Sequence, residues 1–318
     1  MMDTNRISRP LAGRRRAKVQ WRIWLAIVVA VLLASYLAIS AVVVARLTLP
    51  VRLTVGADPA SYGVPFEDVA FHPRGDAAIA LSGWFMSNPT SARAIVVVHG
   101  FGLGGCRTCG FKGQLGAFAA GLQQRGLNVL LFDLRGHGRS GDARYTFGLR
   151  EKRDVEGAVD WLLARGFRPG AIGVVGESMG GAASIMAAAE EPAIGALVTD
   201  SAFADLTRVL RVEFPRRSGL PNVFLTGAYL MGRVITGEDL SAARPVDRIG
   251  AIAPRPVLLI HGTADTFIPI EHLQLLAHAA PTAEIWVVAG ATHVEAYGKD
   301  PHGYLDRVAR FFGAGLTA

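Results

Sequence analysis

The chain has 318 residues, 51% of them hydrophobic, which suits one large domain or two small ones with a substantial core. Its net charge of +7 is concentrated at the start: Arg6, Arg9, Arg14, Arg15, Arg16, Lys18 and Arg22, seven bases against the single acid Asp3, supply +6 within the first 22 residues. The remainder is close to neutral, so the high isoelectric point is a topology signal, and a nucleic-acid-binding face is excluded.

The stretch from Leu25 to Ala45 carries no charge. About 20 such residues cross a bilayer as a helix. The run is longer than the apolar part of a signal peptide, and the nearest small-residue cleavage sites, around Ala38 to Ala41, fall inside it. An uncleaved transmembrane helix over 25–45 is therefore expected, behind a basic tail over 1–24. Only Arg46 and Arg52 follow before Asp58, so the positive-inside rule keeps the N-terminus cytoplasmic and sends the rest across the membrane. Arg14-Arg15-Arg16 could suggest twin-arginine export, but its surroundings do not strengthen that reading. Pro50 to Pro65 is mixed in polarity and rich in Pro, Gly and Ala, and residues 46–65 are read as a linker.

Phe66 to His72 and Ile79 to Met86 are expected to form a hairpin about Gly75-Asp76. Ala94 to Val98 (AIVVV) has the continuous β-branched pattern of a strand buried on both faces. Helix and strand then alternate: helix Gln114 to Arg125, strand Asn128 to Phe132, helix Leu149 to Arg165, strand Ala171 to Val175, a helical run Ser184 to Glu190, and strand Ile194 to Thr199. Strand Val257 to Ile260, helix Glu271 to Ala279, strand Glu284 to Val288 and helix Gly303 to Phe312 complete the chain. This order predicts an α/β fold, a mostly parallel twisted sheet with helices on both faces. Residues 201–253 break the alternation with helix-like pieces, prolines and bulky apolar residues, which reads as a helical cap. Cys106 and Cys109 cannot close a zinc site alone and no nearby histidine pair has the spacing, so no metal is expected. A local disulfide or plain thiols fit them better than a redox centre.

Gly176-Glu177-Ser178-Met179-Gly180 joins a strand to a helical run, the setting of a G-x-S-x-G nucleophile elbow. A serine nucleophile needs a base, an orienting acid and oxyanion donors. Of the eight histidines, His99 and His261 end strands before a glycine, and His137 sits in a tight turn. His72, His272, His278 and His302 lie in or at the start of regular structure. His293, in the loop after the last strand, has the place of the base. Asp265, directly after the strand Val257 to Ile260, is preferred as the acid over Asp200, which is assigned to the base of the cap. The oxyanion donors are expected to be the backbone N–H groups of Met179 and Phe101.

These motifs together resemble the α/β-hydrolase family over roughly residues 66–318: His99-Gly100-Phe101-Gly102, the turn Asp133 to Gly141, the elbow, His261 to Pro269, and Gly290-Ala291-Thr292-His293 before a final helix. The order Ser178, Asp265, His293 is the order that family uses. Phe147 to Glu151 with Asp154 and Trp161 is similar to the helix before the elbow in lipase- and esterase-like members. The resemblance implies a serine hydrolase without a cofactor. The membrane helix and the apolar cap favour a hydrophobic acyl ester or thioester as substrate, with peptides or amides as the alternative. A non-catalytic binding module on the same fold is a further reading, although no triad position is lost. Gly100 to Gly105 also fits the dinucleotide fingerprint G-x-G-x-x-G, with Asp133 ending the next strand. Its strand is third in line and a helix does not open at these glycines, so NAD(P) is not expected.

Overall fold

The computed structural model describes residues 11–102 and 105–317, with side chains in the first helix from Gln20 onward. The start of the basic tail, with Arg6 and Arg9, lies outside the described residues, as do Leu103 and Gly104 of the glycine-rich loop.

Eight strands form one sheet in the order β1-β2-β4-β3-β5-β6-β7-β8. They are β1 (Glu67–Phe71), β2 (Leu81–Met86), β3 (Ala94–Val98), β4 (Asn128–Phe132), β5 (Ile172–Glu177), β6 (Ile194–Asp200), β7 (Val257–Gly262) and β8 (Glu284–Val288). The β1/β2 hairpin is antiparallel and joins β4 in the same sense, while β4, β3, β5, β6, β7 and β8 run parallel. β3 to β7 are buried along their whole length, as their near-continuous apolar runs require. The pleat divides them between two cores. Val96 and Val98 face one, beside helix α4 (Glu151–Ala164) and helix α5 (Ser178–Glu190). Ile95 and Val97 face the other, beside α3 (Leu115–Gln123) and α10 (Pro301–Gly315), which follows α8 (Glu271–Ala279) and α9 (Ala296–Lys299). The winding direction reverses between β3 and β5, so the loops leaving these two strands meet at the carboxyl edge, where open α/β sheets bind ligands.

Helix α5 begins at Ser178, six residues before the run expected from Ser184. Gly180 and Gly181 suggest a turn, yet here they serve close packing. A Cβ on Gly180 would lie 2.2 Å from the His99 carbonyl oxygen, and one on Gly181 2.9 Å from the Ala202 Cβ. β5 also runs on through Gly176 and Glu177, which pair with Thr199 and Asp200. The disulfide Cys106–Cys109 is followed by the four-residue turn α2 (Gly110–Gly113), with Phe111 and Lys112 at φ 48° and 55°.

The cap consists of α6 (Leu206–Ser218) and α7 (Phe224–Thr236) with three short 3-10 turns, and contains no strand. The N-terminal helix α1 (Leu11–Leu47) includes the expected span, and Gln20–Leu47 is long and apolar enough to cross a membrane. Its last turns pack on the cap, where Val44 is buried with Phe214, Leu225 and Ala228. The segment read as a linker is docked: the Arg52 guanidinium donates to the carbonyls of Gly138 (2.8 Å) and Ser140 (2.7 Å) and pairs with Asp142 at 2.6 Å.

Arg107 and Asp133 form an ion pair at 2.8 Å, both side chains fully buried. The Arg107 and Arg139 N–H groups also donate to that carboxylate, at 2.6 and 2.9 Å, which ties the disulfide loop to the end of β4. Breaking such a pair strands a buried guanidinium at a cost of about 3–5 kcal/mol. Asp133→Ala is therefore expected to lower the melting temperature by several degrees, measured by circular dichroism of the detergent-solubilised chain. A melt that matches the parent would remove this pair from the account of stability.

Candidate active site

Ser178 stands between the last residue of β5 and the first turn of α5 with φ 50°, a left-handed conformation that costs a non-glycine residue energy. Two glycines hold it there. A Cβ on Gly176 would meet the Gly180 carbonyl oxygen at 2.6 Å, and Gly180 itself packs on β3 through the His99 carbonyl. The tight turn lifts the serine side chain above the carboxyl edge, where it is 7% exposed.

The structure brings together the three side chains singled out from the sequence. Ser178 Oγ lies 2.9 Å from His293 Nε2, and His293 Nδ1 lies 2.7 Å from Asp265 Oδ2. A carboxylate can only accept, so Nδ1 carries the proton and Nε2 is left to accept from the serine hydroxyl. The other oxygen of Asp265 accepts the N–H groups of Phe267 (3.0 Å) and Ile268 (2.8 Å). Burial pushes the Asp265 carboxyl up. The hydrogen bond and charge of His293, with the Ile268 N–H, outweigh that and hold it below the ordinary carboxylate range. His261, 3.7 Å from Asp265, is lowered by burial.

Asp200 does not reach the histidine, and its hydrogen bond to the cap is to that segment's first residue, Ser201. Its oxygens accept from Ser201 Oγ (2.9 Å) and from the Tyr304 hydroxyl (2.9 Å) on α10. Ser201 Oγ in turn accepts the Val294 N–H at 3.2 Å, so Asp200 braces the histidine loop from beneath. Burial pushes Asp200 up to about 6, opposed by its two hydroxyl donors. Lys112 also braces the loop: its ammonium donates to Thr292 Oγ1 at 2.8 Å.

Of the two backbone donors expected, Met179 N–H lies in the first turn of α5, where no intrahelical acceptor exists. The Phe101 N–H follows β3 and has no protein acceptor among the described residues. Both residues border the space over Ser178. Two chambers meet there. A small apolar one of about 50 Å³ lies beneath the cap, walled by Phe147, Phe203, Leu206, Val209 and Phe214. A larger one of about 580 Å³ opens past Leu49, Val51, Lys112 and Tyr145. Leu47, at the end of α1, lines both. The glycine-rich loop serves this site: a Cβ on Gly100 would press on Glu177 Oε1 at 3.1 Å and on Ser178 Cβ at 3.2 Å.

A family model described as the alpha/beta hydrolase family matches residues 95–310, from β3 into α10. The chain belongs to the alpha/beta hydrolase family. The hydrolase is 26% identical to YfhR of Escherichia coli K12 over 246 residues, 74% of this chain and 78% of the relative. It is 30% identical to Rv2307c of Mycobacterium tuberculosis over 235 residues, 73% and 74% of the two chains. Among solved structures, the Pyrococcus furiosus esterase Pf2001 matches with TM-score 0.67 and 27% identity over 84% of this chain and 100% of that one. Family and neighbour together support hydrolase activity.

Glu177, which its place beside the serine marks as a structural or electrostatic neighbour without chemistry of its own, joins three pieces of the site. Its carboxylate accepts the Gly100 N–H at 3.0 Å and the Phe111 N–H at 2.6 Å, fastening the loop of Phe101 and the turn after the disulfide to the elbow. The only signal in the sequence was its place next to Ser178. Burial pushes Glu177 up to about 8, against the two N–H donors that favour its ionised form. The folded hydrolase thus holds this proton to higher pH than the unfolded chain, which releases it near 4.5. Stability from this group is greatest below pH ~4.5 and falls as pH rises toward ~8. In Glu177→Gln that contribution to the slope is absent. Melting temperature plotted against pH is expected to be flatter for the variant, and parallel curves would refute the assignment.

Proposed function

We propose that this hydrolase is a serine esterase or thioesterase acting on hydrophobic acyl groups, with Ser178 as nucleophile, His293 as base and Asp265 as the orienting acid. The observation that carries the reading is the unbroken chain from Ser178 Oγ through His293 to Asp265, at 2.9 and 2.7 Å, on a serine held at φ 50°. Ser178 Oγ attacks the acyl carbon as its proton passes to His293 Nε2. The N–H groups of Met179 and Phe101 hold the resulting oxyanion. His293 returns the proton to the departing alkoxide or thiolate, and the C–O or C–S bond breaks. Water then attacks the acyl-serine with His293 again as base, releasing a carboxylic acid and restoring the serine.

The apolar chamber under the cap favours an acyl chain on one side of Ser178, while the larger chamber has room for the leaving group. We read α1 as a retained single-pass anchor with the basic tail in the cytoplasm and the catalytic domain, residues 66–318 with the cap at 201–253, outside it. The basic residues ahead of the span support that orientation.

A fluorophosphonate probe is expected to label the parent chain and not Ser178→Ala, whose ester turnover should fall on the order of 10⁶-fold. Equal labelling of the two would end the serine reading. For topology, alkaline phosphatase fused to the C-terminus is expected to be active in intact cells. Activity only from a cytoplasmic reporter at the same position would reverse the orientation.

A further inference from the structure

The cap helix α7 is tied to the membrane helix at a depth that can be bounded. Tyr36 on α1 stacks on Phe224, with ring centres 5.0 Å apart. Its hydroxyl donates to the Val223 carbonyl and accepts from the Gly227 N–H, both at 2.8 Å, so it is inserted into the first turn of α7. One turn on, Ser40 faces Gly227, where a Cβ would come within 2.3 Å of Ser40 Oγ. Contact of this kind through small residues lets helix backbones approach closely, as in membranes. The two helices therefore run side by side in the same sense, with the start of α7 level with Tyr36.

A span needs about 20 residues. Every window of about that length within Gln20–Leu47 contains Tyr36. Even the placement nearest the N-terminus leaves Tyr36 about 5 Å inside the hydrocarbon boundary, at 1.5 Å per residue. That placement begins five residues before the uncharged run 25–45, with Arg22 at its edge, and sets Trp21 and Trp24 near one interface and Tyr36 near the other, the positions aromatic residues favour. The first turn of α7 is then at the same level. Its outward face carries Val223, Leu230 and Val234, which are 66%, 52% and 70% exposed, with exposed Thr226 and Arg233 beside them. Asn222, whose side chain donates to the Arg211 carbonyl, brings exposed Arg211 beside this face, with Arg208 one turn away on α6. Apolar tip and flanking guanidinium groups match acyl chains and lipid phosphates in turn.

We propose that the N-terminal end of α7, with Val223 at its tip, is seated in the interfacial zone of the leaflet next to the catalytic domain, and that the hydrolase consequently draws acyl lipids from that leaflet in preference to soluble esters. The inference rests on the anchor and serine-hydrolase readings above. Leu47, which lines both chambers, lies on the same α1 eleven residues beyond Tyr36, so the chamber walls continue the helix along which a lipid would leave the bilayer.

The test uses the full chain in vesicles of phosphatidylcholine and phosphatidylglycerol. Spin labels on Val223→Cys, Leu230→Cys and Val234→Cys are compared with one on Arg168→Cys, an exposed site far from the cap. The label at 223 is expected to collide preferentially with oxygen, the label at 168 with a water-soluble nickel chelate, and those at 230 and 234 to fall between, in that order of depth. Chelate access at 223 equal to that at 168 would overturn the proposal. So would dipolar broadening between labels at 223, which would mean that a second copy covers this face. Val223→Asp, outside both chambers, is expected to cut hydrolysis of a vesicle-embedded acyl ester at least about tenfold and to leave hydrolysis of p-nitrophenyl butyrate unchanged. An equal loss on both substrates, or on neither, refutes the preference for membrane substrate. Failure of the parent chain to hydrolyse p-nitrophenyl butyrate or to take the fluorophosphonate label would count against the serine-hydrolase reading alone, because the depth measurement does not depend on turnover.

Discussion

The site depends on one local constraint, the left-handed backbone at Ser178. A non-glycine residue persists at φ 50° only where its surroundings leave no alternative. Here the surroundings are the middle of the sheet. β5 pairs on both sides, with β3 and β6, and α5 turns back so closely that Gly180 touches the end of β3. The strain is therefore borne by the most buried part of the fold, where packing of the two cores resists relaxation. Placing the serine on a rigid strand end also fixes the distances to two loops that carry no regular structure of their own.

Those loops are held by buried acids and their hydrogen-bonded partners, which a core accommodates in few places. Asp133 with Arg107, Asp154 with Arg135, Glu177 with two backbone N–H groups, and Asp200 with Ser201 and Tyr304 all lie at or near the carboxyl edge. Each links a loop end to a strand or helix. Burial pushes Asp154 up to about 7 although Arg135 opposes it. Backbone ties of this sort suit catalysis better than apolar contact does. A hydrogen bond fixes direction as well as distance, and an oxyanion donor misdirected by a small angle is of little use.

Much of this was legible in the chain. Ser178, Asp265 and His293 could be picked out because each lies just beyond a strand whose apolar run is easy to see, and parallel strands deliver their carboxyl ends to one side. The sheet and its antiparallel start were readable for the same reason. What was not legible depends on long-range contact. Asp200 and Asp265 occupy equivalent places at strand ends, and only the fold shows that Asp200 turns toward α10 while Asp265 meets the histidine. The glycines at 180 and 181 look like a break and are instead points of close approach. Residues 46–65 have the composition of a linker, yet Arg52 fastens them to the turn after β4 through four carbonyl and carboxylate partners.

The same long-range contacts join the N-terminal helix to the folded domain. A free anchor would end in solvent before the domain begins. In this fold the last turns of α1 bury Val44 against Phe214, Leu225 and Ala228, and Leu47 faces the space over Ser178. Removing α1 would therefore bare an apolar cluster of the cap and take a wall from both chambers. Apolar surface of that kind is stabilised only by being covered. The helix that is long and apolar enough to cross a membrane is thus also part of the lining of the space over Ser178, so its packing on the cap and the shape of that space are set together.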